Sequence, residues 1–352
     1  MEFHKKLILW YLQNKRDMPW RKTRDPYRIW LSEIILQQTR VAQGLPYYRA
    51  FTEAYPTIFD LAEASEEEVL KLWQGLGYYS RARNLHTTAK HVANELNGIF
   101  PENYKGLLLL KGVGDYTASA IASICYNEVV PVVDGNVYRV LSRYFYIETP
   151  INSTQGVKEF KKLAVELIDQ NKPAEYNQAI MEFGALQCKP QAPDCTICPL
   201  NDSCDALKKN AVSSLPVKIK KSKVKKRYFN YLIFLYKKRY TIIQQRQGKG
   251  IWQNLYEFPL VESEGEMNIS SIKANDLLGE IVSGMRYTVT SYQDEFIIHK
   301  LSHQHLYTMF YIVEIEDKPI LSNRDLFVEI ENIKSYPVPT LLSNFIDGFF
   351  KV

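Results

Sequence analysis

No stretch of this 352-residue chain approaches the roughly 20 consecutive apolar positions that a membrane-spanning helix needs, which excludes a transmembrane helix. The opening segment, Met1 to Trp10, lacks the long apolar core and small-residue cleavage site of a secretory signal, so the chain is expected to stay in the cytoplasm. Cysteine is scarce, at five residues, and in a reducing compartment disulfides are not expected. No repeat recurs at a fixed period, which argues against a solenoid. Acidic residues are missing from one stretch, Lys208 to Arg227, which carries Lys208, Lys209, Lys218, Lys220, Lys221, Lys223, Lys225, Lys226 and Arg227. Those nine basic side chains exceed the overall charge of +5, so the rest of the chain is net acidic. Such a block should repel itself, stay solvated and attract polyanions.

What is present is ample core material: 46% of residues are hydrophobic and 13% aromatic, which excludes wholesale disorder. The length suits two domains. The first segment reads as an amphipathic helix with Phe3, Leu7 and Trp10 or Tyr11 on one stripe. Apolar residues at three- and four-residue spacing predict further helices over Leu31–Val41, Ser65–Leu72, Tyr79–Leu96, Thr117–Tyr126, Asn136–Tyr144 and Val157–Ile168. After the basic stretch the pattern changes to β-branched and aromatic runs. Strands are predicted at Tyr228–Tyr236, Tyr240–Ile243, Tyr287–Tyr292 and His305–Glu314. The expected organisation is an all-α domain over 1–207, a basic linker over 208–227 and a smaller α+β domain over 228–352.

Four of the five cysteines, Cys188, Cys195, Cys198 and Cys204, are separated by six, two and five residues. Four thiolates packed into one Pro-containing loop suit a single metal centre, and spacing alone accepts either zinc or a [4Fe–4S] cluster. Cys125, within an apolar run, reads as a small core residue.

Lys111-Gly112-Val113-Gly114 joins two helical patterns. Glycines let a backbone approach a ligand closely, and the N–H groups of the following helix end attract phosphate. Farther on, Asp134 follows an apolar run and precedes a helix. As an N-cap it would accept backbone N–H bonds, which together with the helix dipole favour its ionised form. Glu33 is a single acid inside the apolar helix around Trp30–Leu36, an environment that raises a carboxyl pKa. One carboxylate kept ionised and one poised to hold a proton is the pairing that glycosidic cleavage requires.

The hairpin Leu110–Ala118, the segment Asp134-Gly135-Asn136-Val137 and the cysteine spacing together resemble the endonuclease III superfamily of helix-hairpin-helix DNA glycosylases. Within it, Trp30–Thr39 and Gly75–Leu85 are similar to the MutY-type adenine glycosylases, and the likeness runs from Trp20 to Cys204. The resemblance implies a helix-hairpin-helix at about 107–122 and a [4Fe–4S] cluster on the loop 188–204. It implies that Glu33 protonates adenine while Asp134 stabilises the cationic sugar, with Tyr116 and Asn136 orienting them. It places Trp20, Arg21 and Gln178 at the adenine pocket, and Gln38 and Tyr78 as wedges that fill the stack while the base is flipped. Strand-nicking relatives carry a Lys where this chain has Tyr116, so base removal by hydrolysis is implied. A glycosylase–lyase acting on oxidised pyrimidines is the alternative.

Gly250–Pro259 resembles a segment of the Nudix-like domains of the same family, without the acidic helix that a working Nudix hydrolase uses to hold Mg²⁺. Leu301-Ser302-His303 resembles a Phe-Ser-His loop that recognises 8-oxoguanine. Leu301 departs from the aromatic, leaving Ser302 and His303 as hydrogen-bonding candidates. The implied substrate is duplex DNA with adenine opposite 8-oxoguanine or guanine. The enzyme is expected to be monomeric, nucleoid-associated in a bacterial-type cytoplasm and free of any membrane.

Overall fold

A computed structural model describes residues 3–219 and 224–351. The chain groups into two compact units, Met1–Glu63 with Asn84–Lys221, and Ala64–Arg83 with Ser222–Val352. In chain order the helices are α1 (Phe3–Asn14), α2 (Pro26–Leu36), α3 (Val41–Ala54), α4 (Ile58–Glu63), α5 (Glu66–Leu72), α6 (Ser80–Glu95), α7 (Tyr104–Leu107), α8 (Asp115–Tyr126), α9 (Gly135–Tyr144), α10 (Thr154–Leu167), α11 (Pro173–Leu186) and α12 (Asp205–Lys208). None of the described helices is long and apolar enough to cross a membrane.

The first unit is helical, and α11 is its hub, packing on α1, α8 and α9. On α1 the buried residues are Phe3, Leu7, Ile8 and Tyr11; Trp10 stands beside them, edge-on to Phe183. Helix α2 begins where Asp25 accepts from Tyr27 N at 3.0 Å with Pro26 in the first turn. It ends at Leu36, short of the expected Val41. Thr39 N donates back to Leu36 O, and Gln38 takes φ +56°, a left-handed conformation that no α-helix continues.

The second unit is built on a mixed sheet of β1 (Lys225–Tyr236), β2 (Tyr240–Gln245), β3 (Tyr256–Glu257), β4 (Leu260–Ser263), β5 (Tyr287–Ser291), β6 (Ile297–Lys300), β7 (Gln304–Ile315) and β8 (Asp325–Glu329). The main path runs β3-β2-β1-β7-β5, with β4 on β1, β6 on β7 and β8 on β2. Strands β1 and β7 are parallel, with Lys225 opposite Gln304 and Tyr236 opposite Ile315. Both are covered on two faces, so Phe229–Phe234 is one continuous buried run instead of an alternating one. One face, with Leu232 and Phe234, packs on α13 (Ile269–Lys273) and α14 (Asp276–Ile281). The other receives α15 (Thr340–Phe349), whose Phe345 stacks on Phe310 at 4.1 Å.

Residues 64–83 group with this second unit, against the simple cut at 207, because their side chains are engaged there. Tyr256 OH donates to Glu67 at 3.1 Å, Gln74 Nε2 to Ser343 at 3.2 Å and Arg83 to the Gln253 carbonyl at 2.9 Å. The basic stretch is also less free than its composition suggests. Ile219 N donates to Asn152 at 2.8 Å and Ile151 N to Val217 O at 3.0 Å, pinning its first part to the first unit. Lys225, Lys226 and Arg227 already belong to β1, where Arg227 makes a two-pronged ion pair with Glu262, both contacts at 2.6 Å. The expected charges Lys220, Lys221 and Lys223 lie outside the described residues.

Candidate active site

The segment leading to Asp134 is held from behind. Asn177 on α11, wholly buried, accepts from Val132 N at 3.1 Å and donates to Val130 O at 2.8 Å and Ser123 Oγ at 2.9 Å. Asp134 then caps α9: its Oδ1 accepts from Asn136 N at 2.9 Å and Val137 N at 2.8 Å, and its Oδ2 from Asn136 Nδ2 at 2.7 Å. These three donors favour the anion, yet burial outweighs them and the carboxyl stands above its ordinary value. The cap that the sequence led us to expect is present, and desolvation acts against it.

Glu33, buried on α2, has its carboxyl pushed up to about 7, first by burial and also by the Asp134 charge; the Tyr116 hydrogen bond and the Arg21 charge pull the other way. Tyr116 is in turn held well above the usual phenol value by burial and by the two carboxylates. Its hydroxyl also lies 3.1 Å from Met181 Sδ. A phenol carries one proton, and a carboxylate is the stronger acceptor, so that proton belongs to Glu33. Three donors on Asp134 against one on Glu33 favour the anion on Asp134 and the proton on Glu33. Glu33, Tyr116, Asp134 and Asn136, far apart in the chain, thus form one interacting group.

Arg21 is brought to the edge of this group but is already engaged. Its guanidinium donates to both oxygens of buried Glu182, at 2.9 and 2.8 Å, and Arg16 does the same at 2.9 and 2.6 Å. The two cations hold the Glu182 carboxyl down at about 2 against the opposing effect of burial. Trp20 is core, edge-on to Tyr48 at 5.0 Å. Gln178 accepts from Tyr11 OH at 2.7 Å. Glu182 and Asn177 were not singled out in the sequence, and Tyr11 only as part of an apolar stripe; an acid and an amide amid the apolar residues of α11 were the available signal.

Helix α9 joins the carboxylates to the cysteine loop. Arg139 donates to Asn136 Oδ1 at 2.8 Å, Gly184 O at 2.6 Å and Cys188 O at 2.7 Å. One turn on, Arg143 donates to Lys189 O at 2.7 Å and Pro190 O at 3.0 Å, and its Nη1 lies 3.4 Å from Cys188 Sγ. Two buried arginines on the inner face of α9 were also missed in the sequence. Cys188, Cys195, Cys198 and Cys204 line one recess walled by Val140, Phe183 and Leu200. Among the described residues, no three His, Cys, Asp or Glu side chains converge as closely as ligands of one ion. Burial pushes the Cys198 thiol up to about 11, with its three neighbouring thiols adding to the effect. Cys125, half-buried outside this group, has its thiol pushed up to about 12, mainly by burial.

In the hairpin, Gly112 sits at φ +82°, and a Cβ there would meet Asn84 Cβ at 2.8 Å, so only glycine fits. Gly114 is the N-cap of α8 and has open space around it. The free N–H groups of the first turn of α8 lie beside exposed Lys111, while Asp115 in that turn pairs with Lys161 at 3.0 Å. Val113 is buried beneath the turn.

Residues 31–168 match the model of the HhH-GPD superfamily of base excision DNA repair proteins, and residues 230–348 that of the NUDIX domain. An adenine DNA glycosylase of Buchnera aphidicola is 34% identical, the match covering 98% of this chain and 95% of that one. The chain belongs to the adenine DNA glycosylase family. These are enzymes of base excision repair. The human adenine DNA glycosylase is 46% identical over 58% of this chain and 39% of its own, so the present chain spans well under half of that relative. A solved thermostable thymine-DNA glycosylase superposes with a TM-score of 0.55 at 32% identity, covering 59% of this chain and 95% of that one.

The remaining family-implied positions fall as follows. Gln38 is exposed, two residues past the end of α2, and both it and Tyr78 are non-glycine residues at positive φ, +56° and +49°. Such strain persists only where the surroundings over-determine it. Tyr78 and Ser302, expected to have separate roles, meet: their hydroxyl oxygens are 2.6 Å apart. They border a recess of about 370 Å³ in the second unit that is also lined by Trp252, His299 and His303. Ser302 and His303 occupy the turn between β6 and β7, closed by Leu301 N to Gln304 O at 2.9 Å.

Proposed function

We propose that this enzyme hydrolyses the N-glycosidic bond of adenine lying opposite 8-oxoguanine or guanine in duplex DNA. The observation that carries this reading is the carboxyl pair: buried Glu33, pushed up to about 7 in part by the Asp134 charge, and Asp134, which accepts from three donors. Glu33 gives its proton to a ring nitrogen of adenine as the bond to C1′ breaks, and the bonding electrons leave with the base. Asp134 stabilises the positive charge that develops on the sugar. Water adds to C1′ and returns its proton to the Glu33 carboxylate. Tyr116 orients Glu33, and Asn136 orients Asp134.

Gly112, Val113, Gly114 and Lys111 bind the DNA backbone, Gln38 and Tyr78 fill the stack left by the flipped base, and Ser302 and His303 read the opposite base. Gln178 lines the adenine pocket, with Arg21 and Trp20 supporting its wall. Cys188, Cys195, Cys198 and Cys204, which line one recess, would hold a [4Fe–4S] cluster. Such a cluster cross-links the 188–204 loop and is capable of one-electron chemistry, which base hydrolysis does not consume. The enzyme works as a monomer on chromosomal DNA in the cytoplasm.

The test is a single-turnover incubation with a duplex carrying adenine opposite 8-oxoguanine. Free adenine, with the strand intact until alkali is added, is the expected result. Direct nicking through a borohydride-trappable adduct overturns it in favour of a lyase.

A further inference from the structure

The Tyr11 hydroxyl is the partner of Gln178, and this contact bears on which base the site accepts. Tyr11 is buried on α1, and its hydroxyl lies 2.7 Å from Gln178 Oε1 on α11. A phenol is a good donor and a poor acceptor, while an amide oxygen is a good acceptor, so the proton points from Tyr11 to Oε1. Burial raises the phenol further and keeps that proton in place. Among the described residues, Gln178 Nε2 donates to no protein group, and the side chain is only partly covered. One turn along the same helix face is Met181, whose sulfur lies against the Tyr116 hydroxyl. Gln178 therefore shares a face of α11 with the residue that touches Tyr116, the phenol that hydrogen-bonds Glu33.

We propose that Tyr11 is a specificity-determining positioning residue: by holding Gln178 Oε1, it fixes the amide in the orientation that reads a 6-aminopurine and rejects a 6-oxopurine. This inference rests on the adenine-excision reading above. Adenine presents, on either of its hydrogen-bonding edges, a ring-nitrogen acceptor beside the donor N6 amino group. A glutamine matches that pair with Nε2 donating to the ring nitrogen and Oε1 accepting from the amine. Oε1 has two lone pairs, so it serves Tyr11 and the amine together. A 6-oxopurine places a carbonyl against Oε1, acceptor facing acceptor. At the N1 edge, where a 6-oxopurine carries a ring N–H, rotating the amide by half a turn would relieve the clash, but it would turn Nε2 toward the Tyr11 hydroxyl and break that bond; at the N7 edge the rotated Oε1 would meet N7, so rotation brings no relief there. Tyr11 thus opposes the one rearrangement that would let the wrong base in.

The experiment uses the full-length protein and duplexes differing only in adenine or hypoxanthine opposite the same partner base. Tyr11→Phe keeps the ring that Lys15 and Arg21 each approach within 5.6 Å. The adenine-over-hypoxanthine ratio of single-turnover rates is expected to fall about fivefold, the weight of one hydrogen bond, with duplex affinity and melting temperature kept. Gln178→Met should lower the ratio similarly, and the double variant should fall no further, since lock and locked group act as one unit. A ratio unmoved by Tyr11→Phe, or losses that add in the double variant, overturns the inference. If the wild type releases no adenine at all, it is the excision reading that fails.

Discussion

Replacing Glu33 by Gln separates a buried proton from a merely buried side chain, because the two consequences are read in different assays. An ordinary glutamic acid titrates near 4.5, whereas the folded protein holds this one to about 7, chiefly by burial. As pH rises from 4.5 to 7, the unfolded chain has already released the proton that the folded chain retains, so this group makes stability fall. Above pH 7 both states are ionised and the penalty is constant. At 1.36 kcal/mol per pKa unit it amounts to about 3 kcal/mol. Glutamine has nearly the same shape, still accepts from Tyr116 and has no proton to lose. The stability of Glu33→Gln relative to wild type, from urea unfolding at a series of pH values, should therefore increase by about 3 kcal/mol between pH 4.5 and 8. A difference that stays flat across that window refutes the raised carboxyl. In parallel, single-turnover adenine release should drop by about 10²- to 10⁴-fold, the range for a general acid, with duplex binding retained. In the wild type the rate should decline above about pH 7, as the acid form is lost.

Arg139→Lys leaves the carbonyls of Gly184 and Cys188 and the Asn136 amide short of donors. Unmade bonds to buried groups cost about 1–3 kcal/mol each, so adenine release and iron retained per chain should both fall, measured by single-turnover kinetics and metal analysis. Gly112→Ala forces a Cβ into Asn84 at a positive φ; it should weaken duplex binding at low salt and lower the melting temperature, with strain of about 1–3 kcal/mol. Ser302→Ala removes the partner of Tyr78, and the preference for 8-oxoguanine over guanine should narrow by about fivefold, one neutral hydrogen bond's worth. An unchanged preference ratio would place that recognition elsewhere.

The division into a helical part and a sheet part, the cysteine cluster and the Gly-x-Gly hairpin were legible in the sequence, because each is a local signal. Periodicity reports which face of an element is buried, and cysteine spacing and paired glycines constrain backbone within a few residues. Glu33 also stood out locally, as an acid among Trp30, Leu31, Ile34 and Ile35, since any fold that buries those neighbours desolvates it. The end of α2 at Leu36 was not legible, because apolar spacing continues past the left-handed turn at Gln38.

Other properties depended on groups distant in the chain. The desolvation that opposes the cap at Asp134, and the charges of Asp134 and Glu33 that act on Tyr116, come from groups far apart in the chain. The engagement of Arg21 by Glu182, of Gln178 by Tyr11 and of Cys188 by Arg139 spans from about 50 to more than 160 residues of chain. The grouping of residues 64–83 with the second unit likewise rests on partners beyond residue 250. Composition and motif determined which chemical groups this protein owns. Tertiary packing alone decided which of them are dry, which are paired and which keep a proton, because burial and charge depend on distance in space.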